Sequence, residues 1–535
     1  MATLTGRVRS IDLWPWRLLL IISLPFLAAI GLRIFLSPLN RIPFNSDEAL
    51  FLLKARHILA GQRPLFMYGE VYGGTIDSYL TAPLFYFFGP SILGPRLVVQ
   101  SLEYFLGMTF TYLLARRVLP DSRLGPPAVL WLMAVPPLLE MAWVVPTLRY
   151  TIIICLGSII AYLGHRLLKE DADRPVRWLL FGLVCGLAFW TFGILVVYML
   201  PLFILFLYRF RWRRWASYLL SALAFFLASL PWWSQALSGL TVVYNPNNTT
   251  VIPPLYVRLF AFLTIMLPTY IGIRAPWEAE IVWPVLSVFI LFFYLAVFLY
   301  AIPRLRRNDP QAPAVDRLGL ALLALQVLVW CLLYFGTRFS FNATGRYIFP
   351  LYLVLPIAAA LLLERIYRWR RSVALAVLTA VLAFNLATYL RAIQIMPPGL
   401  TAQMNPDYWY GNGYDHALID FVAAHGGRGY SHHWISYKIA FMSNEQVILS
   451  ALLPYSPPGP GPTWNNLPER YPPYQAMVEA SPERVYVTHR EPRLESYLQQ
   501  AFAERGVTYQ IQDIGPYRVY YDFSAVVTPQ EVGFK

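Results

Sequence analysis

The stretch FNSDEALFLLKARHILAG, Phe44 to Gly61, sets two adjacent carboxylates, Asp47 and Glu48, among four basic side chains, Arg41, Lys54, Arg56 and His57. A carboxylate beside a hydroxyl can act as a general base, and basic side chains nearby can hold an anion such as a phosphate. The same residues also have a purely local reading. Carboxylates in a first helical turn favour the positive end of the dipole, and Ser46 fits the N-cap position. On such a helix Lys54 falls two turns beyond Asp47 on nearly the same face. Leu50, Phe51, Leu53, Ala55 and Ile58 give it an apolar side, which predicts a helix lying in a membrane interface.

Downstream, YGEVYGGTIDSYLTAPLFYFFG adds Glu70 and Asp77 around a flexible Gly73-Gly74 pair, so four carboxylates share one loop. Arginines stand at the borders of apolar runs: Arg149-Tyr150, Arg346-Tyr347, Arg258 and Arg274. Each of these could equally be an interfacial anchor, with Arg snorkelling and Tyr at the headgroup level. Sugar transfer from a lipid-phosphate donor would use such a set. Its phosphate leaving group is a stable anion that cations hold, and the acceptor hydroxyl needs one base. A glycosidase would instead need two carboxylates flanking the bond. No glycine-rich nucleotide loop follows a strand, since HGGRG at His425 to Gly429 lacks the spacing. That fits a donor carried in the bilayer.

These side chains need a scaffold, and the composition names it. Of 535 residues, 57% are hydrophobic and 13% charged, and the mean hydropathy is +0.49. Soluble domains carry about a quarter charged residues, so this composition predicts a polytopic α-helical membrane protein. The net charge of +14 sits between apolar runs and so reads as topology rather than nucleic-acid binding. Cys155, Cys185 and Cys331 lie inside apolar runs and form no disulfide or metal pattern. The first apolar run, Leu18 to Leu36, exceeds a signal-peptide core of roughly 7–15 residues and reads as an uncleaved span.

Eleven spans are predicted near 17–36, 95–115, 125–142, 149–167, 177–191, 193–208, 215–232, 281–302, 318–336, 347–364 and 372–390. With the N-terminus cytoplasmic, the Arg-rich loops all fall inside, as the positive-inside rule requires. Counting Thr75 to Phe88 or Tyr256 to Ile273 as spans would break that pattern, so both are expected as interfacial or re-entrant helices on the outer side. The acids of 37–94 then lie in a long first outer loop. Residues 392–535 read as an outer soluble α/β domain, with strands near Val447 to Leu449, Val485 to Val487 and Val519 to Tyr521. Helices are expected at Ile419 to Ala424 and Leu494 to Ala503.

Residues 10–395 resemble the GT-C class of integral-membrane glycosyltransferases. The nearest branch holds protein O-mannosyltransferases, lipid A aminoarabinose transferases and bacterial family 39-like proteins. The resemblance rests on Asp47-Glu48 in a long first outer loop, on the stretch from Tyr72 to Leu97, and on GRYIFPLYLVLP from Gly345 to Pro356. It implies a GT-C fold, a sugar donor on polyprenyl or dolichyl phosphate, and transfer with inversion. It makes Asp47 the base, Glu48 its structural or orienting neighbour, and Arg346 a phosphate ligand. The substrate-binding candidates are Lys54, Arg56, Glu70, Tyr72, Asp77, Arg149, Arg274, Arg346 and Tyr347. The C-terminal region does not look like the β-trefoil of eukaryotic mannosyltransferases, so a protein, a glycolipid and a cell-wall glycan all stay open as acceptor.

No cofactor is implied with certainty, and a divalent cation stays open. His416, His425, His432 and His433 match no zinc spacing and are expected as surface or strand histidines. Asn248-Thr249-Thr250 and Asn342-Ala343-Thr344 match the glycosylation acceptor pattern, and Pro454 to Trp464 reads as a Pro/Gly-rich linker. Two rivals remain: a transporter or flippase, for which Glu103 and Glu140 would be intramembrane acids, and a glycan-binding protein merely anchored by its spans.

Overall fold

The computed structural model describes residues 15–70, 73–146, 148–170, 172–237, 252–278, 280–304, 315–337, 340, 344–395, 411–455 and 467–534. Tyr72, the two asparagines of the glycosylation pattern and most of the Pro/Gly-rich stretch lie outside them.

The helices run α1 (Pro15–Leu36), α2 (Ser46–Leu59), α3 (Ile76–Phe88), α4 (Leu93–Leu97), α5 (Val99–Val118), α6 (Gly125–Ala134), α7 (Leu138–Val144), α8 (Leu148–Lys169) and α9 (Pro175–Thr191). They continue with α10 (Val196–Phe210), α11 (Trp215–Ala228), α12 (Leu230–Leu237), α13 (Leu255–Ala261), α14 (Leu267–Tyr270), α15 (Pro284–Arg304), α16 (Arg317–Gly336), α17 (Val354–Trp369) and α18 (Arg371–Ile395). Helix occupies each of the predicted spans. Among the described residues seven stretches are long and apolar enough to cross a membrane, or eight if α6 and α7, bent by 61°, form one broken span. One of the seven, Gly193–Ala228, holds both α10 and α11, which turn at Arg211 where φ is +50°. The chain is a multi-pass α-helical membrane protein.

Long apolar faces pair α5 with α8, α6 with α17 and α9 with α11. Gly182 and Gly186 sit where α9 meets α11. A Cβ at either would come within 2.2 Å of a carbonyl oxygen of α11, the close backbone approach that small residues four apart permit. Glu140 of α7 accepts from Tyr104 Oη of α5 at 2.9 Å, so this buried acid is a helix-packing partner.

Beyond α18 a second unit carries α19 (Asp415–Ala424), β1 (Arg428–Tyr430), α20 (His433–Met442), β2 (Ile448–Ser450), α21 (Pro472–Glu479), β3 (Val485–Thr488), α22 (Pro492–Glu504), β4 (Gln510–Ile514) and β5 (Tyr517–Tyr521). The sheet has the order β2-β1-β3-β5-β4, with β1 parallel to β2 and β3, and β5 antiparallel to β3 and β4. Helices pack on both sides of β2, β1 and β3, so β2 and β3 are buried throughout, whereas β4 at the edge is largely exposed.

Helix α2 corrects one expectation. It does not lie in an interface with one wet side. It packs between α3 and α20, and Ser46, Glu48 through Ala55 and His57 are all buried.

Candidate active site

The entry to α2 decides where the acidic pair points. The N-cap is Asn45, one residue before the predicted Ser46: its Oδ1 accepts from Glu48 N at 3.0 Å. Ser46 is already the first helical residue, and its hydroxyl accepts from Lys438 N of α20 at 3.2 Å. Asp47 and Glu48 thus take the second and third helical positions, about 100° apart around the axis. They face different surroundings.

Glu48 turns inward. Arg96 of α4 grips it with Nε at 2.7 Å and Nη2 at 2.6 Å, and the same guanidinium donates to the carbonyls of Ser37 and Ile42 at 2.7 and 2.9 Å. Both partners are at most 1% exposed. Glu48 was expected beside Asp47 in the chemistry; sealed by Arg96, it cannot reach a substrate. It pins the α1–α2 connection to the end of α4.

Asp47 turns into a recess. It sits deep in the fold, yet 47% of its side-chain surface stays open. His433, the first residue of α20, places Nε2 at 3.0 Å from Asp47 Oδ1. Burial would raise the Asp47 carboxyl, but the hydrogen bond from His433 and the charges of His433, Arg470 and Arg346 outweigh it and hold the group down at about 2. Burial lowers the His433 ring, against the pull of Asp47. A neutral ring has one N–H, and the geometry points it at the carboxylate. His433 is wholly buried and helical, so the expectation of a surface or strand histidine is corrected.

Glu70 lies beside this pair between two arginines. Arg149 Nη1 and Nη2 both reach its Oε2 at 3.2 Å, and Arg470 Nη1 reaches Oε1 at 2.5 Å. Burial works to raise Glu70, but Arg149 and Arg470 hold it near 2. The expected flexibility of Gly73-Gly74 is replaced by tight packing. The loop bonds across to the end of α9 through Gly74 N and Thr191 O at 2.9 Å, and a Cβ on Gly73 would fall 2.3 Å from Arg149 Nη2.

Lys54 and Asp77 lie beneath, both buried, so neither is open to a substrate. The Lys54 amine lies 5.2 Å from the Phe51 ring centroid, and burial drives its pKa well below the ordinary value. Asp77 faces Glu103 of α5; burial pushes Asp77 above the usual carboxylate range against its own backbone N–H, Arg149, Glu103 and Lys54. Arg56 is not brought to the recess. It reaches Asn444 O at 3.3 Å and Glu445 at 3.5 Å, and with His57 Nε2, 2.9 Å from Glu445, it docks α2 on the C-terminal unit. Arg274 lies apart, its backbone paired with Ile281. Arg258 donates to Thr337 O at 3.2 Å and holds the end of α16.

Arg346 stands at the edge of an apolar cavity. Gly345 precedes it with φ of +71°, a left-handed turn that suits glycine, and the chain then enters a short 3₁₀ helix, Arg346–Tyr352. The Arg346 guanidinium lies 5.1 Å from the Tyr347 ring centroid. Both residues line a cavity of about 480 Å³ whose other walls include Phe189, Phe192, Trp232, Trp330, Leu333 and Tyr334. Among the described residues no group of three or more His, Cys, Asp or Glu side chains is arranged to hold a metal ion.

Around Asp47 the structure brings Glu70, Arg149 and Arg346, and Tyr347 lines the apolar cavity beside Arg346. It also brings in His433 and Arg470, which sequence reading passed over. The pair His432-His433 stood out as a motif but suggested only metal. Arg470 carried no signal. It is aimed by its neighbour Glu469, which accepts from Ser450 Oγ at 2.9 Å and Ala451 N at 2.7 Å.

No sequence-family profile and no curated protein matches the chain. Solved structures do. ArnT from Cupriavidus metallidurans bound to undecaprenyl phosphate superposes with a TM-score of 0.58 at 13% identity, over 96% of this chain and 99% of that one. The Archaeoglobus fulgidus oligosaccharyltransferase AglB, in complex with an inhibitory peptide and a dolichol-phosphate, gives 0.55 at 12% identity, over 95% and 74%. The arabinofuranosyltransferase AftD from Mycobacteria gives 0.54 at 13% identity, over 94% of this chain but 39% of that one. The chain has the fold of the GT-C integral-membrane glycosyltransferases and resembles the ArnT branch.

Proposed function

We propose that this protein transfers a sugar from a polyprenyl-phosphate donor to an acceptor hydroxyl, with inversion, on the outer face of the plasma membrane. Its N-terminus is then cytoplasmic and the C-terminal unit lies outside, as the distribution of arginines between apolar runs favours. The observation that carries the reading is one juxtaposition. A half-open Asp47 is held ionised in part by the charge of Arg346, and Arg346 borders a cavity apolar enough for an isoprenoid chain. Two proteins of this fold hold undecaprenyl phosphate or a dolichol-phosphate, which supports a lipid phosphate as ligand.

In this reading the isoprenoid lies along Phe192, Trp330 and Tyr334, and Arg346 faces the phosphate. The acceptor oxygen attacks the anomeric carbon as the bond to the phosphate oxygen breaks, and polyprenyl phosphate leaves as an anion. Asp47 takes the acceptor proton. A carboxylate held near 2 is a weak base, but the charges that hold it there include Arg346 and Arg470. A donor phosphate drawn onto those cations offsets their effect on Asp47, so the base strengthens as the donor binds.

Two outcomes follow. Leu333→Trp narrows the cavity and is expected to raise the KM for a long-chain donor about tenfold or more, with little effect on a short-chain one. A series of donors of graded chain length in proteoliposomes checks this. Gly73→Ala pushes a Cβ against the Arg149 guanidinium, the far end of a flexible side chain, which swings away from Glu70. Transfer should fall about 10- to 100-fold while the unfolding midpoint hardly moves. The reading as a whole is tested by incubating labelled polyprenyl-phosphate sugars with the reconstituted protein and lipid, glycan and peptide acceptors.

A further inference from the structure

Asp47 is at the second position of α2, where unbonded backbone N–H groups of the first turn compete for its carboxylate. A side chain folded back onto its own helix would point away from the recess. In this molecule a group 386 residues along the chain draws it out: His433 Nε2, 3.0 Å away. That ring is rigidly held. It is wholly buried, with Trp434 and Tyr437 packed edge-on at 4.9 and 5.2 Å. The helix that bears it is fastened to the start of α2. Lys438 N meets Ser46 Oγ, and Asn412 brackets Phe44 through its N–H at 2.8 Å and its carbonyl at 3.0 Å.

We infer that His433 is a positioning residue of the proposed transfer site: its Nε2–H, delivered by the C-terminal unit, aims the Asp47 carboxylate at the acceptor. The inference rests on Asp47 being the base. It gives the C-terminal unit a defined part in the chemistry, because the ring comes from that unit and not from the membrane helices. The charged neighbours are known on each side. Arg470 and Arg346 also stabilise the Asp47 anion and Glu70 opposes it, while Arg470, Glu469 and His432 face His433. Burial is the largest influence on Asp47 and acts upward. Without the N–H, therefore, the carboxyl rises and takes up a proton at higher pH.

The test compares two variants in the full-length protein reconstituted in liposomes, with Asp47→Asn alongside. His433→Phe keeps a ring in the packed space but has no donor. His433→Gln supplies an N–H near the position of Nε2. The expected result is a fall of about 10- to 100-fold in kcat/KM for His433→Phe, carried by kcat with the donor KM unchanged. The acid limb of this variant moves to higher pH than that of wild type, and His433→Gln recovers most of the rate and the original limb. Wild-type kinetics in His433→Phe would overturn the inference, and so would equal losses in Phe and Gln variants with an unmoved limb, which mark a packing role. The reading beneath it fails separately, and visibly, if Asp47→Asn keeps wild-type turnover.

Discussion

Replacing Asp47 with asparagine should lower sugar transfer about 10²- to 10⁴-fold, the usual contribution of a general base. The substitution is nearly isosteric. The amide oxygen it introduces would still accept from His433, so the local structure should hold, and the donor should bind with little change because its phosphate and isoprenoid contacts lie around Arg346. The effect should therefore appear in kcat. Binding of a labelled polyprenyl-phosphate sugar, measured beside its turnover, separates the two. The wild-type pH profile carries the sign of the same group. Asp47 is active when ionised and its pKa in the free protein is depressed to about 2, so kcat/KM, which reports the free protein, persists down through pH 4 and is lost only as the pH falls towards 2, while the acid limb of kcat lies higher because the bound donor offsets the cations.

The second large effect is on stability. Arg96→Met should destabilise the protein by about 3–5 kcal/mol, because it leaves the Glu48 carboxylate buried without a counter-charge. Arg96 also donates to Ser37 O and Ile42 O, so the carbonyls that close the α1–α2 connection would lose their partner as well. Glu48→Gln should cost less, since a neutral amide still accepts one bond from Arg96. Pairing Arg96→Met with Glu48→Leu should recover only part of the loss, for the two carbonyls remain unsatisfied. Unfolding midpoints in a single detergent, for the single and double variants, check the ordering. An Arg96→Met midpoint equal to wild type would mean that the ion pair does not hold this corner.

The sequence made some of this architecture legible. Long apolar runs located the helices of the membrane part, because burial in lipid or in a helical bundle asks for the same composition everywhere along a helix. Three strands of the C-terminal sheet were readable as short apolar runs, whereas β1 was hidden in the glycine-rich HGGRGY and β4, QIQDI, is polar and largely exposed. In the recess, Asp47, Glu70, Arg149 and Arg346 could be nominated because charge beside hydrocarbon is unusual. What could not be read was the division of labour. The cap is Asn45 rather than Ser46, whose hydroxyl instead meets Lys438 N 392 residues away, and Glu48 was taken out of the recess by an arginine 48 residues away. Lys54 and Asp77 share the composition of site residues but are sealed under them, a matter of depth that spacing along a helix does not encode. His433 needed the docking of one unit on another before its contact with Asp47 was visible.

The central claim, a lipid-phosphate sugar donor attacked with Asp47 as base, is tested most directly by one measurement. Labelled polyprenyl-phosphate sugar is supplied to proteoliposomes carrying wild-type or Asp47→Asn protein and native membrane acceptors, and both labelled product and released polyprenyl phosphate are followed. The account predicts that the two appear together in equal amounts with wild type and not with Asp47→Asn. Equal turnover by both proteins, or label that crosses the bilayer still attached to its lipid, would contradict it.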